Sequence, residues 1–148
     1  MKRSRRLNVV VGLALRKAQE SARALAYVQE KLRSEEQKLK QLEHYLLEYR
    51  STQHQQGTQG ISAQQFMNYN RFSANIEHAI EQQKQQIDIV TRQVEQVRQH
   101  WQALDARYKG LEKLRDRLVQ EENAAQERVL QKEQDEFASR RHGKSLWP

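Results

Sequence analysis

Apolar residues recur at alternating steps of three and four along most of this chain, and that spacing constrains the fold more than any other feature. In the second half the series is Ile87, Val90, Val94, Val97, Trp101, Leu104, Tyr108 and Leu111. Such steps place every member on one narrow stripe of a long helix. The residues around the stripe are mostly Gln, Arg, Glu and Lys. A helix of this kind can remove its stripe from water only against a partner helix. The pattern therefore points to a mechanical or adhesive role rather than a catalytic one.

The first half repeats the rhythm in Val11, Ala14, Ala18, Ser21, Leu25, Val28, Leu32, Glu35, Leu39, Leu42, Leu46 and Tyr49, with only Ser21 and Glu35 polar. The spacing predicts a helix over about 5–51, a tip loop over about 52–62 and a second helix over about 63–141. Gly57 and Gly60 supply turn conformations within the loop. Ser62 fits an N-cap, with Gln65 as its capping-box partner.

A short loop between two long helices implies an antiparallel pair. A bend near Gly57 matches residue i with about 115 − i, so Leu25 faces Val90, Val28 faces Ile87 and Ala14 faces Trp101. The first helix is then used up, and the second is unpaired beyond about residue 115. There the stripe decays into Arg115, Leu118, Glu122, Ala125, Val129 and Lys132. The expected fold is all-α. It is a single domain over residues 1–148, an antiparallel two-helix coiled-coil hairpin with an overhanging C-terminal helix.

Composition agrees. Hydrophobic residues make up 36% of the chain and the mean hydropathy is −1.05, too little apolar mass for a compact globule. The one proline is the last residue, which leaves long helices uninterrupted. The absence of cysteine excludes disulfides and thiolate metal sites. The basic start followed by Leu7–Leu15 superficially resembles a signal peptide. However, Asn8 interrupts the apolar run, Arg16 and Lys17 follow it directly, and the helical stripe continues through it. No stretch approaches the roughly 20 apolar residues of a membrane span. A cytoplasmic chain is expected.

No catalytic set emerges. None of the five histidines has another at the helical spacing of a metal site, and no Lys-Ser/Thr follows the glycines as in a phosphate loop. Glu121 and Glu122 have no pocket to desolvate them. No metal, cofactor or small-molecule substrate is expected. The formal charge of +7 gathers in Arg3, Arg5, Arg6, Arg16 and Lys17 near one end and Arg140, Arg141, His142 and Lys144 near the other. Nucleic-acid binding is the alternative that this suggests. Without aromatic interleaving or a recognition motif, no nucleic-acid partner is expected. A generic coiled-coil scaffold is the other alternative. Tyr45, Leu47, Phe72 and Ala79 fall beside the stripe near the loop, where they form either a binding patch or a wider core.

The residues around the loop carry a further signal. Glu48-Tyr49-Arg50-Ser51 precedes it; Gly60-Ile61, Asn68-Tyr69, Phe72, Glu77 and Ala79-Ile80-Glu81-Gln82 follow. Lys132 and then Asp135-Glu136-Phe137-Ala138 come much later. Over nearly its whole length the chain resembles the flagellar export protein FliJ family. The resemblance implies a non-enzymatic component of the flagellar type III export apparatus that serves motility, peripherally associated with the inner membrane. It further implies a stalk-like coiled coil that binds the hexameric export ATPase, promotes its assembly and activity, couples it to the transmembrane export gate and escorts export chaperones. On this resemblance, Leu42, Tyr45, Tyr49, Phe72, Ile76 and Ala79 match the gate-binding patch, and Gln83 falls at a further position of it. Gln83 and Lys38 depart from the family pattern at its lower edge. Arg5, Arg6, Asp135, Glu136, Phe137 and Ala138 would form the ATPase-facing end.

Overall fold

In a computed structural model, which describes residues 2–145 and side chains through residue 142, the chain forms two helices. Helix α1 spans Arg3–Gly57 and α2 spans Ala63–Ser145. The two pack together as an all-α helical hairpin, and no strand occurs among the described residues. Neither helix contains proline. Contacts divide the chain into two units, residues 20–102 and residues 1–19 with 103–148.

The turn is tighter than its composition suggests. The first helix runs to Gly57 rather than to residue 51, because Gln53, His54, Gln55 and Gln56 are all compatible with helix. Gly60, not Gly57, adopts the left-handed conformation, with φ 85°. It is therefore the position where a side chain would strain the turn. Thr58 extends the helix end by donating its hydroxyl to the Gln55 carbonyl at 2.7 Å. Helix α2 begins with the expected capping box. The Gln65 N–H donates to Ser62 Oγ and the Ser62 N–H donates to Gln65 Oε1, both at 3.1 Å.

Within residues 20–102, all members of the α1 stripe are buried or half-buried, and so are Tyr69, Ser73, Ile76, Ile80, Gln83, Ile87, Val90, Val94, Val97 and Trp101 of α2. Val90 is fully buried and Leu46 nearly so. Burying each such side chain contributes roughly 1.5–3 kcal/mol. One polar pair interrupts the apolar series. Glu35, 8% exposed, accepts a hydrogen bond on its carboxylate from Gln83 Nε2 at 2.6 Å. The same nitrogen donates to the Glu35 carbonyl at 2.9 Å. The Arg50 guanidinium pairs with the Glu77 carboxylate nearer the turn.

Within the other unit, Ser4, Val11, Ala14 and Ala18 are buried. The α2 residues Leu104, Tyr108, Leu111, Leu118 and Glu122 of the same unit are half-buried. Glu122 closes this seam by capping α1 from the other helix. Its carboxylate accepts the Ser4 hydroxyl at 2.5 Å and the Ser4 backbone N–H at 3.2 Å. The first turn of α1 contains no acidic residue of its own to satisfy its N–H groups. Arg115 adds a bond to Asn8 Oδ1 at 3.2 Å.

These contacts correct the expected register. In both units a higher position on α1 meets a lower one on α2, so the helices are antiparallel. The numbers of contacting residues add to between 117, for Tyr45 with Phe72, and 127, for Arg50 with Glu77, rather than to 115. The physical reason is the later turn, centred near Gly60. Ala14 accordingly shares a groove with Leu104. Pairing extends past position 115 to Glu122, and every described side chain from Asn123 to His142 is exposed.

Hydrogen bonds to the Glu122 carboxylate from Ser4 hold its pKa below the ordinary glutamate value of 4.5, and the bond from Gln83 does the same for Glu35. A depressed carboxyl pKa contributes stability that is complete above the unfolded value and is lost as pH falls through the folded one. Glu122→Gln is therefore expected to lower the melting temperature at neutral pH, and the gap to the parent chain should narrow at about pH 3. Circular dichroism melts at the two pH values check this. A gap that is unchanged at low pH would mean that the carboxylate charge plays no part.

Candidate binding surface beside the turn

The turn fixes what lies next to it. Because Tyr49 sits on the α1 stripe and Tyr69 on the α2 stripe one layer from the turn, their rings stack, with centroids 5.2 Å apart and planes at 24°. Phe72 enters from the flank of α2 and meets Tyr49 at 4.6 Å and Tyr45 at 6.2 Å, the latter edge-on at 77°. Aromatic pairs of this geometry add about 0.5–1.5 kcal/mol beyond their burial. The cluster is only partly covered: Tyr45 is 49% and Phe72 38% exposed. Phe66, Met67 and Leu47 nearby are also exposed.

The seven patch positions therefore do not behave alike. Tyr45 and Phe72 present ring surface, while Leu42, Tyr49 and Ala79 are half-buried. Ile76, at 6% exposure, is core. Gln83 spends its amide on Glu35 inside the seam, so its place is structural. An open groove lined by Lys38, Gln41, Leu42, Tyr45 and Gln83 continues the patch away from the turn. Tyr69 belongs to the cluster and was not among the expected patch residues. Its signal was the i, i+3 spacing to Phe72 with Tyr49 across the turn.

The second group of expected residues is not one cluster. Arg5 and Arg6 lie in the first turns of α1, level with Glu122. Asp135, Glu136, Phe137 and Ala138 lie 13 or more residues farther along α2, about 20 Å at the helical rise. All six are exposed, and Phe137 shows 66% of its surface. Lys144 falls outside the described side chains. No helix among the described residues is long and apolar enough to cross a membrane, and no group of three candidate metal ligands occurs among them.

The fold defines an all-α helical hairpin with a half-exposed aromatic cluster beside its turn. The comparison with known proteins makes the class specific. The family described as flagellar FliJ protein matches residues 2–146. The flagellar FliJ protein of Salmonella typhi is 31% identical over 134 residues, covering 90% of this chain and 91% of that protein. That of Escherichia coli (strain K12) is 30% identical over 128 residues, covering 86% and 87%. No solved structure gives a significant match. The chain belongs to the FliJ family, which is not enzymatic.

Alanine substitutions should separate surface from core. Tyr45→Ala is expected to cost under about 1 kcal/mol, Phe72→Ala about 1–2 through its two ring contacts, and Ile76→Ala about 2–4 through a core cavity. Urea denaturation measures all three. A Tyr45 cost equal to that of Ile76 would place the ring in the core.

Proposed function

We propose that this chain, as a FliJ-family component of the flagellar export apparatus, works as a two-ended connector. The aromatic face beside the turn binds the cytoplasmic part of the transmembrane export gate, with Tyr45, Phe72 and the edge of Tyr49 as anchors. Residues beyond Glu122, with Phe137 among Asp135, Glu136 and Ala138, engage the hexameric export ATPase together with Arg5 and Arg6, and promote its assembly and activity. Export chaperones are escorted by the same chain. It acts in the cytoplasm, peripherally at the inner membrane, in flagellum biogenesis and motility.

The observation that carries this reading is the half-exposed aromatic cluster. The fold holds Tyr45 and Phe72 in fixed ring-to-ring geometry yet leaves much of each in water. Aromatic anchors that are ordered before binding lose little conformational freedom on complex formation, which is how a few residues dominate an interface. The exposed helix from Asn123 to His142 supplies the second surface. It carries four carboxylates and four Lys or Arg side chains, and its exposed Val129, Leu130 and Phe137 lie in no cross-helix seam, so a partner is what would cover them. A generic scaffold would need neither feature.

Tyr45→Ala is expected to weaken binding to the purified gate domain by about tenfold with helicity unchanged. Deletion of residues 123–148 should leave the melting of the paired helices unchanged and abolish ATPase stimulation. Undiminished stimulation would remove that segment from the mechanism.

A further inference from the structure

Six of the seven net positive charges of this chain come from one segment. Residues 2–19 hold six cations, Lys2, Arg3, Arg5, Arg6, Arg16 and Lys17, and no carboxylate. Residues 20–142 hold 19 cations and 19 carboxylates. The cationic segment is the N-terminal part of α1, where cations oppose the helix dipole and gain nothing from it. The side chains of Arg5, Arg6, Arg16 and Lys17 are exposed and form no ion pair among the described residues.

The same face holds apolar residues that the seam does not use. Val9 is 72% and Leu13 52% exposed, and at 3.6 residues per turn they stand on the side of α1 away from Val11, Ala14 and Ala18. Arg5 precedes Val9 by four residues and Arg16 follows it by seven. Arg6 precedes Leu13 by seven and Lys17 follows it by four. Cations thus border the apolar pair at both ends along the helix. A small groove formed by Val10, Leu13, Ala14 and Leu104, rimmed by Lys17 and Arg107, extends the apolar surface toward α2.

We propose that this face of α1 binds an anionic lipid surface, with Val9 and Leu13 entering the headgroup layer and Arg5, Arg6, Arg16 and Lys17 reaching the phosphates. Long cationic side chains keep their charged ends at phosphate level while the shorter apolar ones sit deeper, which is the layering of a bilayer interface. The favourable partner carries negative charge above hydrocarbon. A nucleic-acid backbone offers the charge without the hydrocarbon, and neither Val9 nor Leu13 would then have a role. Arg5 and Arg6 are shared with the proposed ATPase-facing end, whereas Val9, Leu13, Arg16 and Lys17 belong to the lipid face alone.

Co-sedimentation of the full chain with vesicles containing phosphatidylglycerol, against vesicles of phosphatidylcholine only, tests the proposal. Binding is expected to the first and not to the second, and to weaken with salt. Joint substitution R5Q/R6Q/R16Q/K17Q should reduce binding by tenfold or more, given about a fivefold effect for each basic residue near an anionic surface. The equally charged control K40Q/R71Q/K84Q/K113Q should reduce it far less. V9S/L13S should weaken it several-fold with helicity intact by circular dichroism. Equal loss in the control, no effect of V9S/L13S, no vesicle binding, or tighter binding to duplex DNA or to poly-glutamate than to the vesicles would each overturn it. ATPase stimulation by V9S/L13S, measured without lipid, keeps this test apart from the connector role.

Discussion

Each helix of this chain carries Gln, Arg, Glu or Lys around most of its circumference, so the only apolar surface either can remove from water is the stripe facing the other. Val90, Leu46, Val94 and Ile76 in one unit and Val11, Ala14 and Ala18 in the other are buried for that reason. Fixed helical backbone then determines where everything else points. Tyr45 and Phe72 are exposed because they stand one position off the stripe. Val9 and Leu13 are exposed because they stand opposite it. The surfaces assigned to binding follow from the geometry that buries the seam.

Polar residues within the seam give it direction. An unbroken apolar stripe can slide by one heptad with little loss, because every layer looks like the next. Glu35 with Gln83, and Ser4 with Glu122, make bonds that exist in one register only. A slip would leave the Glu35 carboxylate buried without its donor. It would also leave the first turn of α1 without a cap. Both bonds cost some burial and in return exclude neighbouring alignments.

The stripes over Val11–Tyr49 and Ile87–Leu111 were legible in the sequence, and so was the Ser62–Gln65 capping box, because helical periodicity and cap chemistry are local. The register was not. It depends on where α1 stops, and a run of Gln, His and Thr with one Gly reads equally well as loop or as helix. The structure extends that helix to Gly57 and shifts the pairing accordingly. The site was legible in part. Off-stripe spacing exposed Tyr45 and Phe72, but it could not show that Gln83 turns inward, since that required knowing that Glu35 lies across from it. Tyr69 was not placed in the patch because a stripe position looks like core until the turn beside it leaves one side open.

Every described side chain of the second helix from Asn123 to His142 is exposed. Backbone bonds and i, i+4 neighbours oppose unwinding there, and single helices of that length are marginal in water. The amides there should therefore exchange with solvent far faster than those near Val90. Whatever grips this stretch must first supply the ordering free energy, so its grip is weaker than the contact area suggests and release is correspondingly quick. A segment built in this way favours repeated engagement over permanent attachment.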